Sequence, residues 1–305
     1  MKRDLISIPD FSAGEIEHLL ERARLLKRSR RSQALAGKTL LLVFQKPSLR
    51  TRISFELAAQ EMGGRSFYLS PEEVGLGQRE AVRDVARVLS RYGDAIAART
   101  FDHAHAVELA QESSVPVINA LSDEEHPCQA LADFLTMLEK RGSLSGARLA
   151  YVGDGNNVLH SLALGAGLLG IHLRAATPRG YEPDAKVWKR VLGFARKSGG
   201  TLSLTDKPEA AVRDADFIYT DVWASMGNES EAAQRAKAFR GFQVNEALVA
   251  KAPKGVWVMH CLPAHRGLEI THGVIDSRRS IVYDQAENRL HVQKAVLEFL
   301  LGAGR

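Results

Sequence analysis

The chain has 305 residues, 45% of them hydrophobic and 25% charged. That balance is ordinary for a soluble globular protein and excludes collagen, a disordered chain and a multi-span membrane protein. The length argues for two domains at roughly 150 residues each, large enough to bury their cores without a disulfide or metal staple. The formal net charge is +5, which suits an anionic partner: nucleic acid, an acidic lipid surface or a small anionic substrate.

No patch that interleaves aromatic and basic residues accompanies that charge, which argues against nucleic acid. The two cysteines, Cys128 and Cys261, form no CxxC pair and point to a reducing compartment. The opening MKRDLISIPD carries charges where a signal peptide needs an apolar core. The most apolar stretch, Val158 to Leu173, is broken by His160, His172 and three glycines, and is too short to span a bilayer. A cytoplasmic protein with no membrane partner is expected.

Ser12 followed by Glu15 is a capping box. Ile16, Leu19, Leu20, Ala23 and Leu26 then recur at helical spacing, so a helix is expected over about 13–30. Its basic run, Arg22 to Arg31, reads as a solvated face followed by a turn. Thr39 to Phe44 reads as a buried strand and Arg52 to Met62 as a helix ended by Gly63-Gly64. Strand-like runs follow at Ser66–Leu69, Ala95–Ala98 and Val115–Asn119, with helical patterns near 80–92, 103–113 and 127–140.

Arg141 to Gly146 breaks the composition. The first domain is therefore expected over residues 1–142, with a helix near 290–305 packing back on it, and the second over 143–289. Further strands are expected at Arg148–Val152, Leu173–Ala176, Leu202–Leu204, Phe217–Tyr219 and Val256–Met259, and a last helix at about His291–Leu300. Strands alternating with helices predict an α/β protein of two doubly wound domains with parallel sheets. Ligands in such folds sit at the carboxyl ends of strands.

Three motifs mislead. Gly37-Lys38-Thr39 resembles the end of a phosphate-binding loop, but Ser32 stands where the first glycine belongs and the segment precedes a strand. Gly153-Asp154-Gly155 follows a strand, yet Val158 takes the third glycine position of a dinucleotide fingerprint. His260, Cys261 and His265 lack a second cluster at ligand spacing, so no metal is expected.

Four segments carry chemistry. Phe44 to Arg52 (FQKPSLRTR) lies between a strand and a helix, where free backbone amides and the helix dipole favour an anion. Ser48 and Thr51 add hydroxyl donors, Leu49 its backbone amide, and Arg50 a planar fork suited to phosphate oxygens. Arg52 falls on the far side of the first turn and reads as structural. His126-Pro127-Cys128-Gln129 also precedes a helix. There a histidine can hydrogen-bond a carbonyl and a glutamine an amide, although a capping histidine is the plainer reading, and Cys128 reads as packing. Asp221, ahead of Ser225-Met226-Gly227, places a carboxylate at a strand's carboxyl end, fit for an ammonium or for a simple N-cap. Cys261, in His260-Cys261-Leu262-Pro263, is either an acid/base or orienting group or a buried structural thiol.

Together these segments resemble the carbamoyltransferase family along essentially the whole chain, to Asp284–His291 (DQAENRLH). Ser48-Leu49-Arg50-Thr51-Arg52 is similar to the family's carbamoyl-phosphate loop, whose commoner form has Thr second. Asp221 with Ser225-Met226-Gly227, and His260-Cys261-Leu262-Pro263, resemble its ornithine branch. The resemblance implies transfer of a carbamoyl group from carbamoyl phosphate to the δ-amine of L-ornithine, without a cofactor or metal, by a homotrimer or a multiple of trimers. It implies that carbamoyl phosphate is held by Ser48, Leu49, Arg50, Thr51, Arg99, His126, Gln129 and Arg289 and by the Cys261-Leu262 backbone. Asn157, Asp221, Ser225 and Met226 would hold ornithine. Cys261, Arg50, Arg99 and His126 would take part in catalysis. N-acetylornithine and putrescine are the alternative acceptors. One departure stands out: Gly75 occupies a position where the family often has a glutamine that contacts carbamoyl phosphate, and Gln78 is out of register.

Overall fold

The computed structural model describes residues 2–224 and 231–302, so Ser225 and Met226 lie outside the described residues. The chain divides into two compact units. One comprises Met1–Leu135 with Glu287–Arg305, the other Thr136–Ala286.

In the first unit β1 (Thr39–Phe44), β2 (Arg65–Leu69), β3 (Ala95–Arg99) and β4 (Val117–Leu121) form one parallel sheet in the order β2-β1-β3-β4. Every residue of β1 is buried. That explains its unbroken apolar sequence, since a parallel strand covered on both faces has no polar side to alternate with. Helices Leu49–Glu61, Val82–Leu89 and His103–Glu112 lie between successive strands. The strand order reverses between β1 and β3, where Phe44 is paired with Arg99 at the carboxyl ends. In a doubly wound sheet that reversal opens the crevice used by ligands.

The second unit repeats the plan. Strands β5 (Arg148–Val152), β6 (His172–Ala176), β7 (Thr201–Thr205), β8 (Phe217–Thr220) and β9 (Trp257–His260) run parallel in the order β7-β6-β5-β8-β9. The reversal falls between β5 and β8.

Three expectations change. The helix expected from Arg52 begins at Leu49, because Ser48 takes the N-cap and its hydroxyl accepts from the Thr51 amide. The last helix runs Val282–Leu301, starting nine residues before the expected His291. Its apolar periodicity is hidden because polar side chains occupy its buried positions: Gln285, Asn288, Arg289, His291, Gln293 and Lys294 are all buried. From Glu287 onward this helix belongs to the first unit. There Arg22 Nε donates to Glu298 at 2.7 Å, Lys27 Nζ to Asn288 at 2.8 Å, and Lys294 Nζ to the Arg30 carbonyl at 2.7 Å. Part of the basic run 22–31 thus stitches two helices together, where a wholly solvated face was expected.

Candidate active site

The β1/β3 switch point gathers cations. Ser48 caps helix Leu49–Glu61, and its hydroxyl donates to Thr51 Oγ1 at 3.0 Å. Arg289 Nη2 donates to the same oxygen at 2.7 Å. The buried Thr51 hydroxyl therefore accepts twice, and its own proton remains to donate. Leu49 is the first residue of that helix, where a backbone amide has no intrahelical acceptor, so it can offer a ligand its amide. Arg99, at the end of β3, is 4% exposed. Burial, and then the charges of Arg289 and Arg50, push its pKa down to about 10, still well above neutrality, so the guanidinium keeps its charge. Its Nε, like Gln129 Oε1, is buried without a hydrogen-bond partner among the described residues. Buried polar groups are normally paired, so both atoms point to a ligand's donors and acceptors.

His126 is buried, and burial followed by the charges of Arg289, Arg99 and Lys46 holds its pKa well below the usual histidine value. It stands neutral among cations and can donate to a carbonyl oxygen without adding charge. Gln129 Nε2 donates to Asp133 at 2.8 Å. Cys128, in the same turn, is fully buried with a thiol pushed up to about 12 by burial, as befits packing. Arg52 pairs with Glu56 at 3.0 Å and lies 4.0 Å over the Tyr68 ring, a structural role. Gly75 has φ +53, and a Cβ there would meet Arg79 Cβ at 2.6 Å. A glutamine does not fit this backbone without displacement.

The β5/β8 switch point gathers a carboxylate, an amide and a thiol. Asp221 is 5% exposed. Its Oδ2 accepts from Asn156 Nδ2 at 2.7 Å, and its Oδ1 from the Val222 amide at 2.8 Å and from Cys261 Sγ at 2.9 Å. Asn156 also caps helix Asn157–Leu169, its side-chain oxygen accepting from the Val158 and Leu159 amides. Asn157 is the first residue of that helix. The fully buried Tyr151 donates to the Asp154 carbonyl at 2.9 Å, and burial, then Asp221, holds its phenol well above the usual value.

Cys261 follows β9 in a turn built by its neighbours. The Leu262 amide donates to His260 Nδ1 at 2.9 Å, which places the histidine proton on Nε2, 3.1 Å from the buried Glu269 carboxylate. The His260 amide in turn donates to Gln285 at 3.0 Å. Leu262 has φ +57, a left-handed conformation costing about 1–2 kcal/mol for a residue with a Cβ. The hydrogen bond of its amide fixes that conformation.

The ligand atoms of Asp221, His260 and Cys261 lie within 4.8 Å of one another, and His265 is outside this group. Three ligands are the fewest a catalytic zinc usually takes. Both His260 nitrogens already have partners, so a cation would have to displace one. The other decoys resolve structurally. Lys38 pairs with Asp94 at 2.9 Å. A Cβ on Gly155 would fall 2.3 Å from the Pro183 nitrogen, so this glycine answers to backbone packing.

Sequence reasoning missed Asn156, Lys46, Tyr151 and Arg235. Asn156 had a readable signal, since an asparagine ahead of a helix is a favoured N-cap. The others emerge only in three dimensions. Lys46 lies 4.8 Å over the Phe101 ring, and Arg235 pairs with Asp154 at 2.9 Å.

Residues 3–139 match the carbamoyl-P binding domain of aspartate/ornithine carbamoyltransferase, and residues 145–300 the Asp/Orn binding domain. An ornithine carbamoyltransferase of Pyrococcus abyssi is 54% identical over 98% of this chain and 96% of its own length. A catabolic ornithine carbamoyltransferase of Thermoplasma acidophilum is 48% identical over 98% and 99%. The solved ornithine carbamoyltransferase of Pyrococcus furiosus superposes with a TM-score of 0.97 at 52% identity, covering 100% of this chain and 98% of that one.

Proposed function

The chain belongs to the aspartate/ornithine carbamoyltransferase family, and from that premise we propose that it transfers the carbamoyl group of carbamoyl phosphate to the δ-amine of L-ornithine, giving L-citrulline and phosphate. The observation that carries the reading is the convergence of Arg50, Arg99 and Arg289 on the capped start of helix Leu49–Glu61. A dianionic acyl phosphate suits that arrangement, and the names of the relatives favour ornithine over N-acetylornithine or putrescine as acceptor.

In this reading Ser48, Leu49, Arg50 and Thr51 hold the phosphate through amides, hydroxyls and a guanidinium, with Arg289 alongside. Arg50, Arg99 and neutral His126 donate to the carbonyl oxygen, and Gln129 Oε1 accepts from the carbamoyl amide. The Cys261-Leu262 backbone completes that set. Asp221 takes the α-ammonium of ornithine and Asn157 its α-carboxylate, and the resemblance adds Ser225 and Met226 to that grip. Cys261 accepts from or orients the δ-amine.

The neutral δ-amine attacks the carbonyl carbon, and a tetrahedral intermediate forms. The bond from carbon to the bridging oxygen then breaks, phosphate leaves with the electron pair, and the nitrogen proton passes to it. Carbamoyl phosphate is already activated, so the residues supply position and charge. Donors aimed at the developing oxyanion contribute most, typically about 10²- to 10³-fold in rate each.

A homotrimer or a multiple of trimers fits an exposed stripe. Leu49, Ile53 and Leu57 recur every fourth residue and are 71%, 45% and 37% exposed. Apolar stripes of this kind commonly mark contacts between proteins. No described helix is long and apolar enough to cross a membrane, and Cys128 and Cys261, neither of them in a disulfide, suit a reducing cytoplasm.

A colorimetric assay for ureido product, with ornithine, N-acetylornithine, putrescine and aspartate as acceptors, tests the function. Product is expected from ornithine, with a rate that climbs from neutral to alkaline pH as the amine, of pKa about 10, loses its proton. Equal kcat/KM for putrescine would contradict the reading.

A further inference from the structure

Arg235 lies in the short helix Ala232–Ala238, away from every segment read above as chemical, yet it is 9% exposed. A buried guanidinium needs reasons, and four are visible. Its Nη1 donates to Asp154 Oδ2 at 2.9 Å and to the Trp223 carbonyl at 3.0 Å. Its Nε donates to Glu231 at 2.9 Å, and its guanidinium carbon sits 4.9 Å from the centre of the Tyr181 ring. Asp154 belongs to the turn after β5, two residues before Asn156. Trp223 belongs to the turn after β8, two residues beyond Asp221. One side chain therefore ties together the two turns that flank the β5/β8 switch point.

We propose that Arg235 is a positioning residue for the α-amino acid end of the acceptor. By clamping Asp154 to the Trp223 carbonyl it fixes the spacing between Asn157 and Asp221. The proposal rests on the reading of those two residues as the grip on ornithine's carboxylate and ammonium. The chain of contacts is continuous. Arg235 holds Asp154, the Asp154 carbonyl accepts the Tyr151 hydroxyl proton, and the same hydroxyl lies 3.3 Å from Asn156 Oδ1. Asn156 then donates to Asp221. Arginine suits the task because its fork serves a carboxylate and a carbonyl at once while its face stacks on a ring. Lysine offers a point charge and can keep only one of these links well.

The test is steady-state kinetics on Arg235→Gln, Arg235→Lys and Asp154→Asn, with Asp221→Asn as reference. Arg235→Gln is expected to raise the KM for ornithine at least tenfold while the KM for carbamoyl phosphate stays within twofold. The inhibition constant of L-norvaline, which has the same α-amino acid end and no δ-amine, should rise by the same factor. Arg235→Lys should recover part of the loss. Asp154→Asn, which keeps the shape of the turn, should shift the same constants even if Arg235→Gln folds poorly, and the double variant should be no worse than the stronger single one, since both break one link. Unchanged ornithine and norvaline constants in Asp154→Asn and Arg235→Lys would overturn the proposal, as would equal losses for both substrates. If Asp221→Asn also leaves the ornithine KM unchanged, the fault lies with the assigned grip and not with Arg235.

Discussion

At the β1/β3 switch point three arginines approach a helix start, and a buried histidine is kept neutral beside them. At the β5/β8 switch point a buried carboxylate is held by an amide and a thiol, with a second carboxylate, Asp154, balanced by Arg235. Both crevices arise from the same reversal of strand order, so topology explains where the crevices lie and not what each one suits. Charge decides that. The first crevice concentrates positive charge and suits a strong anion. The second spends its polar groups on one another, leaving a single oriented carboxylate suited to an ammonium.

The largest expected effect comes from removing charge at the first crevice. Arg50→Ala should lower kcat/KM for carbamoyl phosphate by at least about 10²-fold, the loss typical of one donor to a developing oxyanion. A variant within threefold of wild type would show that the cations there do not serve the reaction.

A second effect sharpens the contrast through pH. Unfolded His126 takes up a proton near pH 6.5, whereas the folded protein resists it well below that value, first through burial and then through Arg289, Arg99 and Lys46. The unfolded state therefore binds more protons below about pH 6.5, and stability falls as pH drops, by up to about 1.4 kcal/mol per pH unit. Asp154 has the opposite sign. Burial raises its folded pKa to about 6 despite Arg235, so its ionised form costs stability above that pH, and protonation below it favours folding. Urea unfolding at several pH values should show a shallower acid loss in His126→Asn than in wild type and a steeper one in Asp154→Asn. Parallel curves would contradict these assignments.

The smallest effect separates the cysteines. Cys128 is fully buried with its thiol pushed up to about 12, whereas Cys261 is partly exposed. Iodoacetamide at pH 8 should label Cys261 in the native protein and spare Cys128, as read by peptide mass spectrometry. Equal labelling would place Cys128 nearer the surface than its packing allows.

Much of this was legible in sequence. Thr39–Phe44 and Arg148–Val152 were readable to the residue, because in each a polar first residue leads into the apolar run of a buried parallel strand. The anion-binding segment was readable because hydroxyls and arginines crowd one strand-to-helix turn. The start of the last helix was hidden by buried polar residues such as Gln285 and Asn288, which mimic a loop in a hydropathy pattern. Arg235 was hidden for another reason. Its partners Asp154 and Tyr181 are 81 and 54 positions away, and nothing local distinguishes it from a surface arginine.

The measurement that bears most directly on the contrast is calorimetric titration of carbamoyl phosphate into wild type, Arg50→Ala and Asp221→Asn under one buffer. The account predicts that Arg50→Ala shows no measurable binding while Asp221→Asn binds as wild type does. Wild-type affinity in Arg50→Ala, or its loss in Asp221→Asn, would contradict it.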